Sequence, residues 1–220
     1  MSWVAPLATN WRFLAQAISV TVALTAASMA IGVVVGLIAG LLRTYGGRVA
    51  DLVVGFYIDT MRAVPVLVIL IWMFFAFPVA FGLSVKPFTA AALGLGLHNA
   101  AYFAEAIRAG LRSVRPGQTR AALALGMTRL QAIRVVVLPQ ALIRMLPALG
   151  SLTTITIKDT AIAAVIAVPE LMRQSQIVAG QTYRPFELYT FAMAVYFVLC
   201  FPVARWVDRS FERHAHKGAS

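Results

Sequence analysis

The 220-residue sequence contains one cysteine, three histidines and eight acidic residues, and each scarcity closes off a class of function. Cys200 alone cannot form an intramolecular disulfide; inside an apolar run it reads as a small packing residue, and redox compartment leaves no trace. The histidines and acids are scattered, with no HExxH and no GxSxG, so the convergent groups of a membrane-embedded hydrolase are missing. A phosphate-binding loop needs Gly directly before its Lys, whereas Lys86, Lys158 and Lys217 follow Val85, Ile157 and His216. This chain is therefore not expected to hydrolyse ATP, and no cofactor is expected in it.

Charge of either sign is absent over long stretches. Residues 13–42, 63–85 and 188–204 carry no ionisable group other than the thiol and phenols, residues 87–104 add only His98 to that set, and residues 145–169 only Lys158 and Asp159. With 60% hydrophobic and 12% charged residues, the chain is too apolar for a soluble domain. A bilayer core needs about 20 apolar residues per helix, so five spans fit. Continuous rather than alternating apolarity selects helices over a barrel. The expectation is an all-α integral membrane protein, one transmembrane domain over residues 1–220.

The first apolar run is not a secretory signal, since it is too long and only Arg12 precedes it as a charge. Orientation follows from the 19 basic residues. With the N-terminus outside, the inside segments hold Arg43, Arg48, Arg62, Arg108, Arg112, Arg115, Arg120, Arg129, Arg134, Arg144, Arg205, Arg209, Arg213 and Lys217. Outside stand only Arg12, Lys86, Arg173 and Arg184, so the positive-inside rule gives N-out and C-in. The net charge of +11 then reflects topology and contact with anionic lipid, and nucleic acid is not needed as a partner.

Ser28, Gly32, Gly36 and Gly40 recur every four residues and line one face of the first span, where another backbone can approach closely. The pattern leaves open whether that backbone belongs to the same chain or to a second subunit. Pro65 suits the first turn of the second span. Trp3, Trp11, Tyr45, Tyr183, Tyr189 and Trp206 flank spans as interfacial anchors.

The inside loop at residues 108–144 is the longest non-apolar stretch. Ala121, Ala122, Leu125, then Leu130, Ile133 and Val137 recur at helical spacing on either side of Gly126. Two short amphipathic helices with a glycine break are expected, either resting on lipid headgroups or docking a cytoplasmic partner.

GQTRAALALGMTRLQAIRVVVLPQALIRMLPAL resembles the cytoplasmic loop of bacterial ABC importer permeases, in which an Ala-Ala pair, a Gly four residues later and Ile-x(4)-Leu-Pro mark the coupling helix. MRAVPVLVILIW, AAYFAEAIRAGLRSV and IKDTAIAAVIAVPEL resemble, in order and spacing, the permeases of the polar amino-acid uptake subfamily, over residues 59–171. The resemblance implies a type I ABC importer permease fold in a bacterial inner membrane, and ATPase coupling through Arg120, Ala121, Ala122, Gly126, Ile133, Leu138 and Pro139. Arg120 stands where the family motif usually has Glu, so that ionic contact is absent or inverted. Implied partners are a cytoplasmic ABC ATPase dimer that carries ATP and Mg, a second permease subunit, identical or related, and an extracytoplasmic solute-binding protein.

A charge at the centre of a span costs about 2.5 to 3.5 kcal/mol, so Lys158 and Asp159 need an explanation. Thr153, Thr156 and Thr160 give their span a polar side. An α-amino acid presents one carboxylate and one ammonium, which Lys158 and Asp159 would answer with Thr160 adding a hydrogen bond; a structural ion pair is the alternative. His98 and Asn99 are weaker candidates to complete the cavity. Glu105, three before Arg108 and seven before Arg112, is spaced for a local ion pair, and Glu170 for capping or gating. The wording AALALGMT and the missing Glu lean toward glutamate, aspartate or glutamine as solute. A cationic amino acid stays open, as does, further off, a secondary transporter, although five spans do not divide into matched halves.

Overall fold

The computed structural model describes residues 5–217, and the Trp3 anchor lies outside them, as do the side chains of Arg213 and Lys217. Among the described residues all regular structure is helical: α1 (Ala5–Thr9), α2 (Trp11–Tyr45), α3 (Gly47–Ala63), α4 (Val66–Ile71), α5 (Phe77–Phe81), α6 (Pro87–Ser113), α7 (Pro116–Ala124), α8 (Arg129–Gln131), α9 (Leu138–Asp159), α10 (Leu171–Thr182) and α11 (Pro185–Lys217).

The small-residue face of α2 meets α6 of the same chain. A Cβ on Gly36 would lie 2.6 Å from Phe103 Cβ and 2.9 Å from the Ala100 carbonyl, and one on Gly40 2.9 Å from the Ala104 carbonyl. Gly96 of α6 returns the arrangement, since its Cβ would meet Ile31 at 2.7 Å. This pair is the intrachain packing that the four-residue repeat allowed, and α6 becomes the central helix, buried by α2, α3, α4 and α9.

Two π-helical turns, Trp72–Ala76 and Ala132–Val137, each end two residues before a proline, Pro78 and Pro139. A proline ring clashes with the carbonyl four residues earlier, which here is inside the wider π turn, so the helices run on without breaking. Pro65 acts differently. It holds Val64 extended (φ −90°, ψ 131°), and α3 meets the α4–α5 segment at 104°. Pro65 stands immediately before the first helical residue, Val66.

Among the described residues three helices are long and apolar enough to cross a bilayer, Trp11–Tyr45, Arg129–Ile166 and Pro185–Val207, or four if the bent pair is one span. The remaining segment of the five read from the sequence is α6, 27 residues long. Its neighbours shield it, so it tolerates His98 and Asn99 where a lipid-facing helix would not.

One expectation at residues 108–144 is corrected. The segment after Gly126 is not a short separate helix: a Thr128–Gln131 capping box opens α8, which passes through the π turn directly into α9. Physically, the π turn absorbs Pro139, so nothing stops the helix between Arg129 and Asp159.

Candidate solute groove and coupling surface

Helix α7 starts at Pro116, which supplies no N–H where none is needed, and ends at Ala124, two residues before the left-handed Gly126 with φ +83°. Ala122 is buried, while Arg120, Ala121 and Gly126 face outward; Ile133 and Leu138 are half-buried and Pro139 is exposed. The apolar stripe read from the sequence divides: Ala122 and Val137 pack inward, but Leu125 and Leu130 are 81% and 73% exposed. Leu125, Gly126, Met127, Gln131 and Val135 surround an open depression of about 300 Å³. The Arg144 guanidinium donates to the Ser113 carbonyl at the end of α6. Ile107, Leu111, Val137, Ala141 and Met145 form one core beside it, so the loop is seated on both α6 and α9.

The end of α9 separates the candidate solute residues. Lys158 is exposed in a groove of about 270 Å³ between α9 and α11, walled by Thr154, Tyr196, Phe197, Cys200 and Phe201. No acid lines that groove, and among the described residues Lys158 makes no ion pair. Asp159 is half-buried and outside the groove lining. Thr160 is fully buried and donates to the Ile157 carbonyl at 2.7 Å. Thr153, Thr154 and Thr156 likewise donate to carbonyls of their own helix, so the threonine side presents acceptors, not free donors.

Asn99 Nδ2 uses one such acceptor, donating to Thr156 Oγ1 at 3.1 Å and tying α6 to α9. His98, one position earlier, stacks edge-on against Tyr102 of its own helix at 5.2 Å, reaches the Met61 backbone of α3, and leaves Nδ1 without a partner among the described residues. The structure thus brings Asn99 to the α9 side, sends His98 the other way, and puts neither in the lining of the Lys158 groove.

Sequence reasoning missed Tyr196, which sits in an apolar run without any local signal. It placed Glu170 correctly as a cap: the carboxylate accepts from the backbone N–H groups of Met172 and Arg173 at the start of α10. Glu105 pairs with Arg108 at 2.5 Å, but its other partner is Arg43, which no local spacing announces. No described cluster of His, Cys, Asp and Glu is arranged to hold a metal.

Residues 32–217 match the family described as binding-protein-dependent transport system inner membrane component. The glutamine transport system permease protein GlnP of Escherichia coli K12 is 40% identical over 172 residues, 78% of each chain. The probable amino-acid ABC transporter permease protein YckA of Bacillus subtilis 168 is 36% identical over 73% of this chain and 70% of its own. A solved amino-acid ABC transporter crystallised with histidines superposes with a TM-score of 0.88 at 34% identity, covering 97% of this chain and 99% of that one. The MetNI methionine transporter, at 24% identity and a TM-score of 0.77, shares the fold. This helical chain therefore belongs to the inner-membrane components of binding-protein-dependent transport systems, among the amino-acid ABC transporter permeases.

Proposed function

We propose that this permease conducts a polar amino acid without a cationic side chain, of the glutamine, glutamate or aspartate kind, and that Lys158 receives its carboxylate. The observation that carries this reading is an exposed ammonium in a groove with no acid in its lining. A guanidinium or ammonium side chain would meet like charge there, whereas a carboxylate completes the pairing the groove lacks. The E. coli relative named for glutamine points the same way. Asp159, next along the helix, is assigned to the solute ammonium. Buried Asn99 and His98 are assigned to holding α6 against α9 and α3, behind the site, and buried Thr160 to closing the end of α9.

The loop from Arg120 to Pro139 is the coupling surface, in which exposed Leu125 and Leu130 and the Gly126 turn dock a cytoplasmic ATPase dimer that binds ATP and Mg. Hydrolysis belongs to that separate subunit. A second permease subunit and an extracytoplasmic binding protein complete the importer, with the N-terminus outside and the C-terminus inside the inner membrane.

The test is transport by the purified complex at saturating loaded binding protein, comparing Lys158→Met and Asp159→Asn with the parent for labelled glutamine, glutamate and arginine. Both substitutions should impair glutamine or glutamate transport while the complex stays assembled. Normal transport would remove both residues from the site, dissociation would mark a structural ion pair, and preference for arginine would favour the cationic alternative.

A further inference from the structure

Tyr196 belongs to two structures at once. Its ring walls the groove that exposes Lys158, and its hydroxyl donates to Glu170 Oε2 at 3.0 Å. Glu170 has no exposed surface and is the anchor of α10, accepting from Met172 N–H at 2.8 Å and Arg173 N–H at 2.6 Å. The preceding N–H, on Leu171, donates to Thr21 Oγ1 of α2 at 3.0 Å. The free donors at the start of α10 are thus answered by one carboxylate and by α2. The tie from that carboxyl group to α11 is the Tyr196 phenol, a hydrogen bond in a buried setting, where an unmet acceptor is costly.

The surroundings supply an alternative position for the phenol. The hydroxyls of Thr160 and Thr21 adjoin it, and Thr160 follows Lys158 and Asp159 directly in the chain. Between Thr160 and Glu170 the backbone turns through a 3-10 segment, Thr160–Ile166, and a left-handed Ala167 with φ 61°. The segment that leaves the groove therefore ends on the same carboxylate that the groove wall touches.

We propose that Tyr196 is a positioning residue that ties occupancy of the Lys158 groove to the seating of α10, through its bond to Glu170. The tie rests on the solute reading of the groove given above. A solute held at Lys158 packs against the Tyr196 ring, moves the hydroxyl from Glu170 toward Thr160, and leaves the carboxylate short of a donor. The start of α10, held to α2 by the bond from Leu171 N–H to Thr21, then loses its hydrogen-bonded link to α11.

The experiment uses the full importer in lipid vesicles, with labelled glutamine delivered by its own binding protein. Tyr196→Phe keeps the groove wall and removes only the hydroxyl. Expected is a maximal uptake rate reduced about tenfold, half-saturation within about twofold of the parent, and unchanged complex yield and thermal midpoint. Glu170→Gln should lower the maximal rate similarly, and the double variant should be no worse than the more impaired single, because both cut one link. Lys158→Met should lower the maximal rate and, unlike Tyr196→Phe, also raise half-saturation.

A parental rate in Tyr196→Phe, with Lys158→Met impaired, overturns the tie and leaves the solute site standing. If Lys158→Met is silent, the solute reading fails and the tie to occupancy with it. A Tyr196→Phe whose half-saturation rises as in Lys158→Met makes Tyr196 a solute contact, and one that loses rate only in step with assembled complex makes it a structural clamp; either overturns the proposal. Should Glu170→Gln not assemble, the split between rate and half-saturation in Tyr196→Phe decides alone.

Discussion

Arg43 Nη1 lies 2.6 Å from Glu105 Oε1 and joins α2 to α6, while Arg108 holds the other carboxylate oxygen at 2.5 Å. Arg43 Nε also reaches Asp51 of α3 at 3.3 Å, and its guanidinium fills the space over Gly55. One carboxylate thus sits between two guanidiniums where three helices meet, with the side chains of Arg43 and Glu105 only 17% and 20% exposed.

Removing that carboxylate leaves two guanidiniums facing each other. Glu105→Ala should destabilise the subunit by about 2–4 kcal/mol. Asp51→Ala should cost less than about 1 kcal/mol, because Asp51 is 57% exposed. Thermal unfolding of both variants in detergent checks the ranking, and equal midpoints would show that the cluster does not hold α2 to α6.

Gly36 tolerates no side chain. The 2.6 Å approach to Phe103 Cβ and 2.9 Å to a backbone oxygen predict that Gly36→Ala forces α2 from α6, at about 1–3 kcal/mol. Gly117→Ala, with nothing within 4 Å, should be neutral or slightly stabilising. Expression and unfolding midpoints compared between the two test the packing directly.

At Gly126 the constraint is backbone, since φ is +83° and a Cβ would meet nothing within 4 Å. Gly126→Leu adds strain of roughly 1–2 kcal/mol and bulk on the docking surface, so transport should fail with membrane abundance preserved. Gly126→Asn, which enters the left-handed region more easily, should retain much of it. Normal ATPase stimulation in Gly126→Leu would mean that the loop only rests on lipid.

Topology is testable by reporter fusions. The fourteen inside basic residues against four outside predict residues 86 and 180 outside, residue 125 and the C-terminus inside. An outside location for residue 125 would remove both the orientation and the coupling role.

Much of this was legible along the chain. The Ser28–Gly32–Gly36–Gly40 repeat announced a close helix contact, Glu170 announced a cap, and Gly126 announced a helix break, since helical periodicity and capping act within a few residues. The partner of the glycine face stayed open, because a stripe of small residues says only that something comes near. Helix α8 read as a separate short element because helical spacing does not show where an element ends, and the π turn that carries the helix past Pro139 depends on hydrogen bonds rather than on composition.

The sequence by itself determined that the chain is helical and apolar enough for a membrane, and where the glycine break after α7 falls. Run length and local motif spacing are properties of neighbouring residues. Only the tertiary structure decided that Lys158 opens toward α11 while Asn99 turns to Thr156, and that Tyr196 reaches both the groove and Glu170. Those pairings join residues tens of positions apart, and they arise because helices pack at angles and rotations set by the whole core, which no local pattern encodes.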